Sequence, residues 1–152
     1  MPLRIQNAGT LREIKRLTIR EGGLNRRIRT LKVMHGGALR TVAVFADPLT
    51  VTVSPTEVYG VQGSNSPVAV TTNQTTASPV GGLPPYTYAW TRTGGSEGTV
   101  NSPTMATTSF TNVMGFGTVN ADFTVTVTDA GGATASATVA ATFENVGGGL
   151  EP

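Results

Sequence analysis

A fourteen-residue repeat near the N-terminus is the feature that most constrains this chain. The segments Thr10–Gly23 and Leu24–Gly37 are complete copies, and Ala38–Phe45 begins a third. Self-similarity at a fixed period indicates that one structural unit recurs along the chain. Alignment superposes three sets of side chains, and each complete copy closes on a glycine pair. These residues are Arg12, Arg26 and Arg40; Ile14, Ile28 and Val42; Leu17, Leu31 and Phe45; and Gly22, Gly23, Gly36 and Gly37.

The repeat unit is predicted to form short β-strands. A helix is the competing interpretation of the first copy, because Leu11, Ile14 and Leu17 recur at helical spacing. The second copy is rich in Arg, Thr, Val and Ile, and a glycine pair after a β-branched run marks a hairpin or a strand corner. Consistency across the copies favours strands of about five to eight residues. Apolar residues on both faces of such strands need partners on both, so we expect the arm to pair with other chains.

The charge of the chain divides it into two modules. Residues 1–47 carry ten Lys and Arg residues against three acids, a net charge of +7. Residues 48–152 carry only Arg92 against six acids, a net charge of −5. Such halves seldom share one role, and Pro48 suits a boundary because proline removes a ladder donor. The predicted division is a basic repeat arm over 1–47, a sandwich domain over 48–144 and a flexible tail over 145–152.

From Leu49 onward, apolar residues and threonines alternate, which predicts strands with one buried face. The low charged fraction of 13% fits the same class. We treat Asn73–Pro85 and Thr93–Pro103 as loops at the domain ends. The predicted strands are Leu49–Ser54, Val58–Val61, Val68–Thr72, Tyr86–Arg92, Thr107–Val113, Asp122–Asp129 and Ala133–Phe143. This spacing, with one Trp in the middle of the run, is typical of an immunoglobulin-like β-sandwich. The predicted fold is therefore all-β, with strand-forming repeats followed by that sandwich.

The predicted sandwich core follows from the alternation within these strands. Phe110 and Val113 are expected to anchor their strand, and Phe143 to face inward on the last one. Tyr86 lies in the same row as the core residues Tyr88 and Trp90. For Tyr86 two interpretations stay open, a core position and part of an exposed carbohydrate or receptor platform. The predicted core residues are Trp90, Tyr88, Phe123, Val125, Val127 and Val139.

Two stretches carry a family resemblance. Gly81–Trp90 (GGLPPYTYAW), followed by Asp122–Val139 (DFTVTVTDAGGATASATV), resembles the PKD-type and related immunoglobulin-like repeats of bacteria and phages. Those domains commonly carry Gly-Gly-x-Pro-Pro-Tyr-x-Tyr-x-Trp and Tyr-x-Val-x-Val-x-Asp ahead of Gly-Ala. The resemblance covers about residues 49–143 and implies an immunoglobulin-like domain. Phe123 stands where the family often has tyrosine, which puts a corner hydrogen bond from that hydroxyl in doubt.

The arm also resembles segments of tailed-bacteriophage virion proteins. Units of the form x-Leu-Arg-x-Val followed by Val-x-x-Gly-Gly recur in their tail and fibre polypeptides. This resemblance implies a place in a virion tail, fibre or capsid decoration.

Residues that could carry chemistry are few. The chain has no cysteine and one histidine, His35, which precedes a glycine pair and is interpreted as flanking a turn. A zinc site needs a cluster of such ligands. Asp122, Asp129 and Glu57 were considered for calcium, but without the spacing of a calcium loop they are interpreted as solvated carboxylates. We expect no metal, no cofactor and no enzymatic activity.

The basic arm leaves two partner classes open. Its ten Lys and Arg residues could follow nucleic-acid phosphates, but nucleic acid is the less favoured partner. The charges are interleaved with regularly spaced aliphatic residues, and the aromatic residues that stack on single strands are lacking. We favour a folded docking element whose arginines pair with carboxylates of a neighbouring subunit. The expected partners are other virion proteins and further copies of the chain, as a homo-oligomer such as a trimer. Loops on the rigid sandwich would contact host surface glycans.

The N-terminal segment lacks the apolar region of a secretory signal. No stretch approaches the roughly 20 apolar residues that span a membrane. We therefore expect a soluble chain that is made in the cytoplasm and does not insert into membranes. An adhesive type of domain without an export signal fits a tailed-phage virion protein, which is assembled in the host cytoplasm and released by lysis. The hypothesis is a non-enzymatic structural protein, anchored in tail or capsid by its repeats, whose domain decorates the particle or binds the host. The alternative is a bacterial cell-surface or exported binding module.

Overall fold

The structure, a computed structural model, describes the backbone of six short ranges in the arm and all atoms of most later residues. These are residues 4–7, 10–13, 18–21, 24–27, 30–35 and 38–44 for the backbone, and 46–95 and 97–149 for all atoms. Every regular element in these ranges is a β-strand, so the predicted all-β class is confirmed. The described part contains no helix with the length and apolar character to cross a membrane. Contacts divide the chain into two units, Met1–Asp47 and Pro48–Pro152.

The described strands of the arm pair as antiparallel hairpins, which favours the strand interpretation over the helix. Each hairpin is a separate two-stranded sheet. The strands of each pair are separated by two residues, the commonest hairpin connection. The hairpins are β1 (Arg4–Asn7) with β2 (Thr10–Glu13), β3 (Thr18–Glu21) with β4 (Leu24–Arg27), and β5 (Thr30–His35) with β6 (Ala38–Val44).

The second unit contains ten strands within residues 46–95 and 97–149. In chain order they are β7 Thr50–Ser54, β8 Glu57–Gln62, β9 Val68–Thr71, β10 Thr75–Val80, β11 Tyr86–Gly95, β12 Thr99–Val100, β13 Thr107–Thr108, β14 Phe110–Met114, β15 Gly117–Asp129 and β16 Thr134–Asn145.

These strands form a β-sandwich of the immunoglobulin-like class. One layer is a four-stranded sheet in the order β11-β15-β16-β8, in which β8 is parallel to β16 and lies at the edge. Two three-stranded sheets, β13-β10-β7 and β12-β14-β9, supply the opposing strands. β7, β9 and β14 all contact β16 from that side. The predicted sandwich is confirmed.

Inward side chains from both layers fill the core. β15 and β16 alternate strictly, because every second residue faces the same side of a strand. Phe110 of β14 stacks on Phe123 of β15, with ring centroids 3.9 Å apart and planes at 12°. Trp90 meets the Phe110 ring edge-on at 5.9 Å. Trp90, Phe123, Val125, Val127 and Val139 are all buried. Tyr88 is only half-buried and packs against the core from β11, the edge strand of its sheet.

The phase of β14 differs from the sequence interpretation. Val113 was expected to anchor this strand, but its side chain is 66% exposed. Phe110, Asn112 and Met114 face inward instead. Because side chains alternate along a strand, the fully buried Phe110 fixes all three positions and leaves Val113 outside.

Two predicted loops contain strands. Within the segment 73–85, β10 pairs with β7 on one side and β13 on the other. Although its sequence is largely polar, β10 has one buried face, which includes Thr75 and Ala77. The buried Thr75 hydroxyl donates a hydrogen bond to the carbonyl of Pro55 (2.7 Å). Within the segment 93–103, β11 continues to Gly95 and β12 follows.

The start of the predicted flexible tail is held by hydrogen bonds. The backbone N–H of Val146 donates to the carbonyl of Gln62 (2.9 Å). That of Gly147 donates to Oδ1 of Asn145 (3.1 Å), and that of Gly148 to Oδ1 of Asn65 (2.9 Å). Residues 145–148 therefore belong to the folded end of the sandwich.

Phe110→Ala tests the corrected phase of β14. Loss of a ring that is fully buried between the layers is expected to lower the free energy of unfolding by about 3–5 kcal/mol. The matched control, Val113→Ala, should change it by less than about 0.5 kcal/mol. Urea unfolding of the full chain, followed by fluorescence of its single tryptophan, measures both. A larger loss for Val113→Ala than for Phe110→Ala would contradict the register.

Candidate functional site

The repeated arginines of the arm occupy one register position in successive hairpins. Arg12 lies on β2, Arg26 on β4 and Arg40 on β6. In each hairpin the arginine pairs with a β-branched aliphatic residue, and the pairs are Ile5 with Arg12, Ile19 with Arg26, and Val33 with Arg40. Equivalent positions recur every fourteen residues, so the three hairpins offer the same strand pairing three times.

The other predicted docking residues do not all follow the regular strand pairing of the arginines. Leu31 lies on β5 and Val42 on β6. The register of β5 and β6 shifts beside Leu31, and Val42 is the residue of β6 that is left without a partner, as in a β-bulge. The remaining predicted arm residues, Ile14, Leu17, Ile28, Phe45, Gly22, Gly23, Gly36 and Gly37, lie outside the described residues.

The sandwich carries an open groove of about 840 Å³ beside β11. Its lining comes from β11, from the segment between β11 and β12, from β12 and β14, and from one ring of β15. The lining residues are Trp90, Thr91, Arg92, Glu97, Gly98, Thr99, Val100, Thr111, Asn112, Val113 and Phe123. The second predicted end loop therefore contributes to the groove, whereas the first does not.

The floor of the groove is rigid and aromatic. Trp90 and Phe123 are buried, and the indole Nε1 of Trp90 donates to the carbonyl of Met105 (2.9 Å). Gly98 lies directly over Phe123, because a Cβ at this position would be 3.0 Å from the ring atom Cζ. Its φ of +113° also favours glycine. The chain can cross the aromatic core this closely only with glycine at this position.

Asn112 places an amide in the apolar wall of the groove. Its side chain is 4% exposed, and its Nδ2 has no hydrogen-bond partner in the described part of the chain. Leaving a buried polar group unpaired costs about 1–3 kcal/mol. Asn145 is the other residue with such an atom there, but its Oδ1 accepts from the backbone N–H of both Ser64 (2.9 Å) and Gly147 (3.1 Å). Asn145 therefore has a structural role that Asn112 lacks.

The rim of the groove is polar and formally neutral. Arg92 and Glu97 contribute one charge of each sign. The Thr99 hydroxyl donates to the carbonyl of Thr111 (3.0 Å) and retains its acceptor lone pairs. A mostly apolar concavity with a few placed polar groups is typical of small-ligand sites.

Asp129, one of the three carboxylates that could contribute to a calcium site, is held by hydrogen bonds within the fold. Asp129 is buried and accepts hydrogen bonds from the backbone N–H groups of Leu83 (2.8 Å), Ala133 (2.9 Å) and Gly131 (2.8 Å). These donors, that of Leu83 above all, hold the pKa of Asp129 below its ordinary value. Among the described residues, no three His, Cys, Asp or Glu side chains converge on a position that would suit a metal ion.

The aromatic row of β11 is not an exposed platform. Tyr86 is half-buried, and its hydroxyl donates to the carbonyl of Gly81 (2.5 Å). This tyrosine therefore ties the preceding turn to β11. No hydroxyl is available at Phe123, whose ring is fully buried.

Sequence reasoning missed Asn112, Glu97 and Gly98. A signal for Asn112 was present in FTNVM, since an inward Phe110 requires that the asparagine two positions later also face inward. A polar residue at an inward position is informative because buried polar groups are normally paired. Gly98 and Glu97 carried no local signal, because their role depends on which strands the connecting segment crosses.

No protein-family model matches the chain, and no curated protein matches it. Solved structures that are similar to it include the PKD domain of human KIAA0319, at 19% identity over 69% of this chain and 87% of that one, with a TM-score of 0.45. A conjugative transposon lipoprotein from Bacteroides eggerthii is similar at 16% identity over 61% of this chain and 95% of that one, with a TM-score of 0.34.

Asp129→Asn is expected to remove an acid-sensitive part of the stability. Because the pKa of Asp129 is lowered in the folded chain, its carboxylate stabilises the fold above the unfolded-state pKa. This contribution is lost as the pH falls through the lowered pKa of the folded state. The variant should be less stable than wild type at neutral pH, and the difference should shrink under acid.

Urea unfolding of the full chain at a series of pH values measures this difference. Asp122→Asn makes the same change at an exposed position of the same strand and controls for loss of any carboxylate. If the free energy of unfolding of Asp129→Asn differs from that of wild type by the same amount at every pH, the assigned hydrogen bonds are contradicted.

Proposed function

We propose that this chain is a non-enzymatic structural protein of a tailed-bacteriophage particle. The arm anchors it in the tail or capsid by pairing with other virion proteins and with further copies of the chain. The sandwich is displayed on the particle as a decoration or as an adhesin for host surface glycans. Assembly takes place in the host cytoplasm, and no cofactor takes part.

The observation that carries the proposal is the isolation of the arm hairpins. Each described hairpin is a two-stranded sheet, and an isolated two-stranded hairpin is marginally stable at best in water. In the described ranges no further strand lies beside the outer edges of a hairpin, and such edges can pair with a strand from another chain. Strands supplied by neighbouring subunits would satisfy these edges.

The repeated register supports an ordered docking site over a general basic tail. The arginine and its aliphatic partner recur at the same position of each hairpin. A partner built from repeated subunits would meet the same pair at each step. Arginine suits this role because its planar guanidinium binds carboxylates with two parallel hydrogen bonds.

The geometry of the sandwich supports display. Leu49 lies 3.1 Å from a Cβ placed on Gly82, at the end where β15 finishes at Asp129. β15 begins at Gly117, and its thirteen residues span about 40 Å. Phe116, which is 81% exposed, therefore lies at the opposite end of the sandwich from Leu49. Loops on such a rigid scaffold are suited to binding.

Two alternatives are kept with the proposal. The ten basic residues of the arm favour nucleic acid as a second candidate partner, and such binding would weaken steeply with salt. A bacterial cell-surface or exported binding module is the other alternative. Genes for capsid, portal and tail proteins beside the gene for this chain would favour the virion role over the exported module.

A charge-reversal pair tests the arm. The first variant is the triple change Arg12→Glu, Arg26→Glu and Arg40→Glu, at the shared register position. The control reverses three arginines of the same arm that do not share it, namely Arg16→Glu, Arg20→Glu and Arg29→Glu. Both variants lower the net charge of the arm equally. Wild type, co-expressed with the structural proteins encoded by neighbouring genes, is expected to copurify with particles.

The register variant should lose at least tenfold in copies per particle, and the control should lose much less. Quantitative mass spectrometry of purified particles measures the copy number. Equal loss in both variants, together with salt-sensitive binding to DNA, would indicate nucleic-acid contact. Absence of wild type from the particles would contradict the virion role.

A further inference from the structure

We propose that the groove beside β11 binds the acetamido group of an N-acetylated sugar, with the amide of Asn112 as its hydrogen-bonding partner. This inference rests on the adhesive role proposed above and names its site and its ligand class. The described residues leave Asn112 without a structural use that would explain a buried amide at this position.

The first argument is the unpaired amide. Asn112 is only 4% exposed, and its Nδ2 has no hydrogen-bond partner among the described residues. Asn112 is one of the residues that line the groove. The two amide atoms exchange by a 180° rotation of the terminal torsion, so either the donor or the acceptor can face a ligand. The unpaired Nδ2 position is itself buried, so one of the two atoms at most faces the groove, and a ligand amide offers a complement to either.

The second argument is the apolar surrounding of that amide. Trp90, Val100 and Phe123 line the groove around it. An acetamido group combines a methyl group, which suits such a surface, with a carbonyl and an N–H. A plain hydroxyl would satisfy the asparagine but would leave the apolar wall against polar atoms.

The third argument is the character of the rim. Arg92 and Glu97 balance each other formally, which favours a neutral ligand. The exposed Thr99 has a hydroxyl acceptor available for the ring hydroxyls of a sugar. An extended peptide would pair with the outer edge of β11. Beside the groove that edge is occupied at Trp90, whose backbone N–H donates to the carbonyl of Pro103 (2.8 Å).

The test compares two neutral trisaccharides on the full chain. Triacetylchitotriose carries acetamido groups, and maltotriose has the hydroxyls without them. Titrations followed by ¹H–¹⁵N chemical shifts are expected to move the signals of Asn112, Gly98 and Thr99 with triacetylchitotriose and not with maltotriose. An N-acetylated dipeptide amide is the third probe. Stronger binding of this probe at the groove would overturn the proposal in favour of a peptide ligand.

Asn112→Leu separates a ligand role from a structural one. Leucine has a similar size and no polar atom, so the melting temperature should stay the same or rise, as expected when an unpaired buried group is removed. The Kd for triacetylchitotriose should rise at least tenfold. The matched control is Asn145→Leu, which removes an acceptor of two backbone hydrogen bonds. It should lower the melting temperature and leave the Kd unchanged.

A second variant does not touch the core. Thr99→Trp replaces an exposed groove residue by a bulky one and should block binding in a normally folded chain. Unchanged affinity in both Asn112→Leu and Thr99→Trp would overturn the proposal, as would the absence of any groove shift at millimolar triacetylchitotriose. Incorporation into particles is measured separately. A chain that enters particles but binds no N-acetylated sugar contradicts this inference alone.

Discussion

The stacked pair of Phe110 and Phe123 is the contact on which the sandwich domain depends. Phe110 comes from β14 and Phe123 from β15, so the pair joins the two layers at van der Waals distance. With Phe110 fixed inward, alternation along β14 sends Asn112 into the domain and Val113 out of it. With Phe123 fixed inward, the segment before β12 passes its ring at Gly98, where a Cβ would lie 3.0 Å from Cζ. The floor and one wall of the groove are therefore consequences of one aromatic contact.

The described strands of the arm, unlike those of the sandwich, do not form two packed layers. In the described part of the sandwich, 14 buried hydrophobic residues form one core between the layers. The described hairpins of the arm are three separate two-stranded sheets. Two strands cannot enclose a core, because a sheet buries a face only against a second layer. One chain thus combines a sandwich with a filled core and an arm whose described strands form separate two-stranded sheets. The difference in charge, +7 against −5, follows the same boundary.

The sequence allowed the strand content and most of the core to be predicted where alternation was strict. In DFTVTVTD, Phe123, Val125 and Val127 could only share one face, and all three are buried. β10 was missed because Thr75–Val80 has small polar residues, and its strand character comes from pairing with β7 and β13, far away in sequence. Val113 was assigned inward on hydrophobicity alone, although Phe110 already fixed the phase. The groove could not be predicted, since it depends on where residues 97–100 cross β15.

Asn112 and Asp129 show why burial alone does not identify a functional group. Both are polar and nearly inaccessible, at 4% and 7% exposure. Asp129 accepts hydrogen bonds from three backbone N–H groups, and these fix the turn that connects β15 to β16 and the segment that precedes β11. Its burial is explained within the fold. Among the described residues the Asn112 side chain ties down no other segment, and leaving its Nδ2 unpaired costs stability. A group that a stable fold would replace by leucine, beside an open groove, is better explained by what enters the groove than by the domain itself.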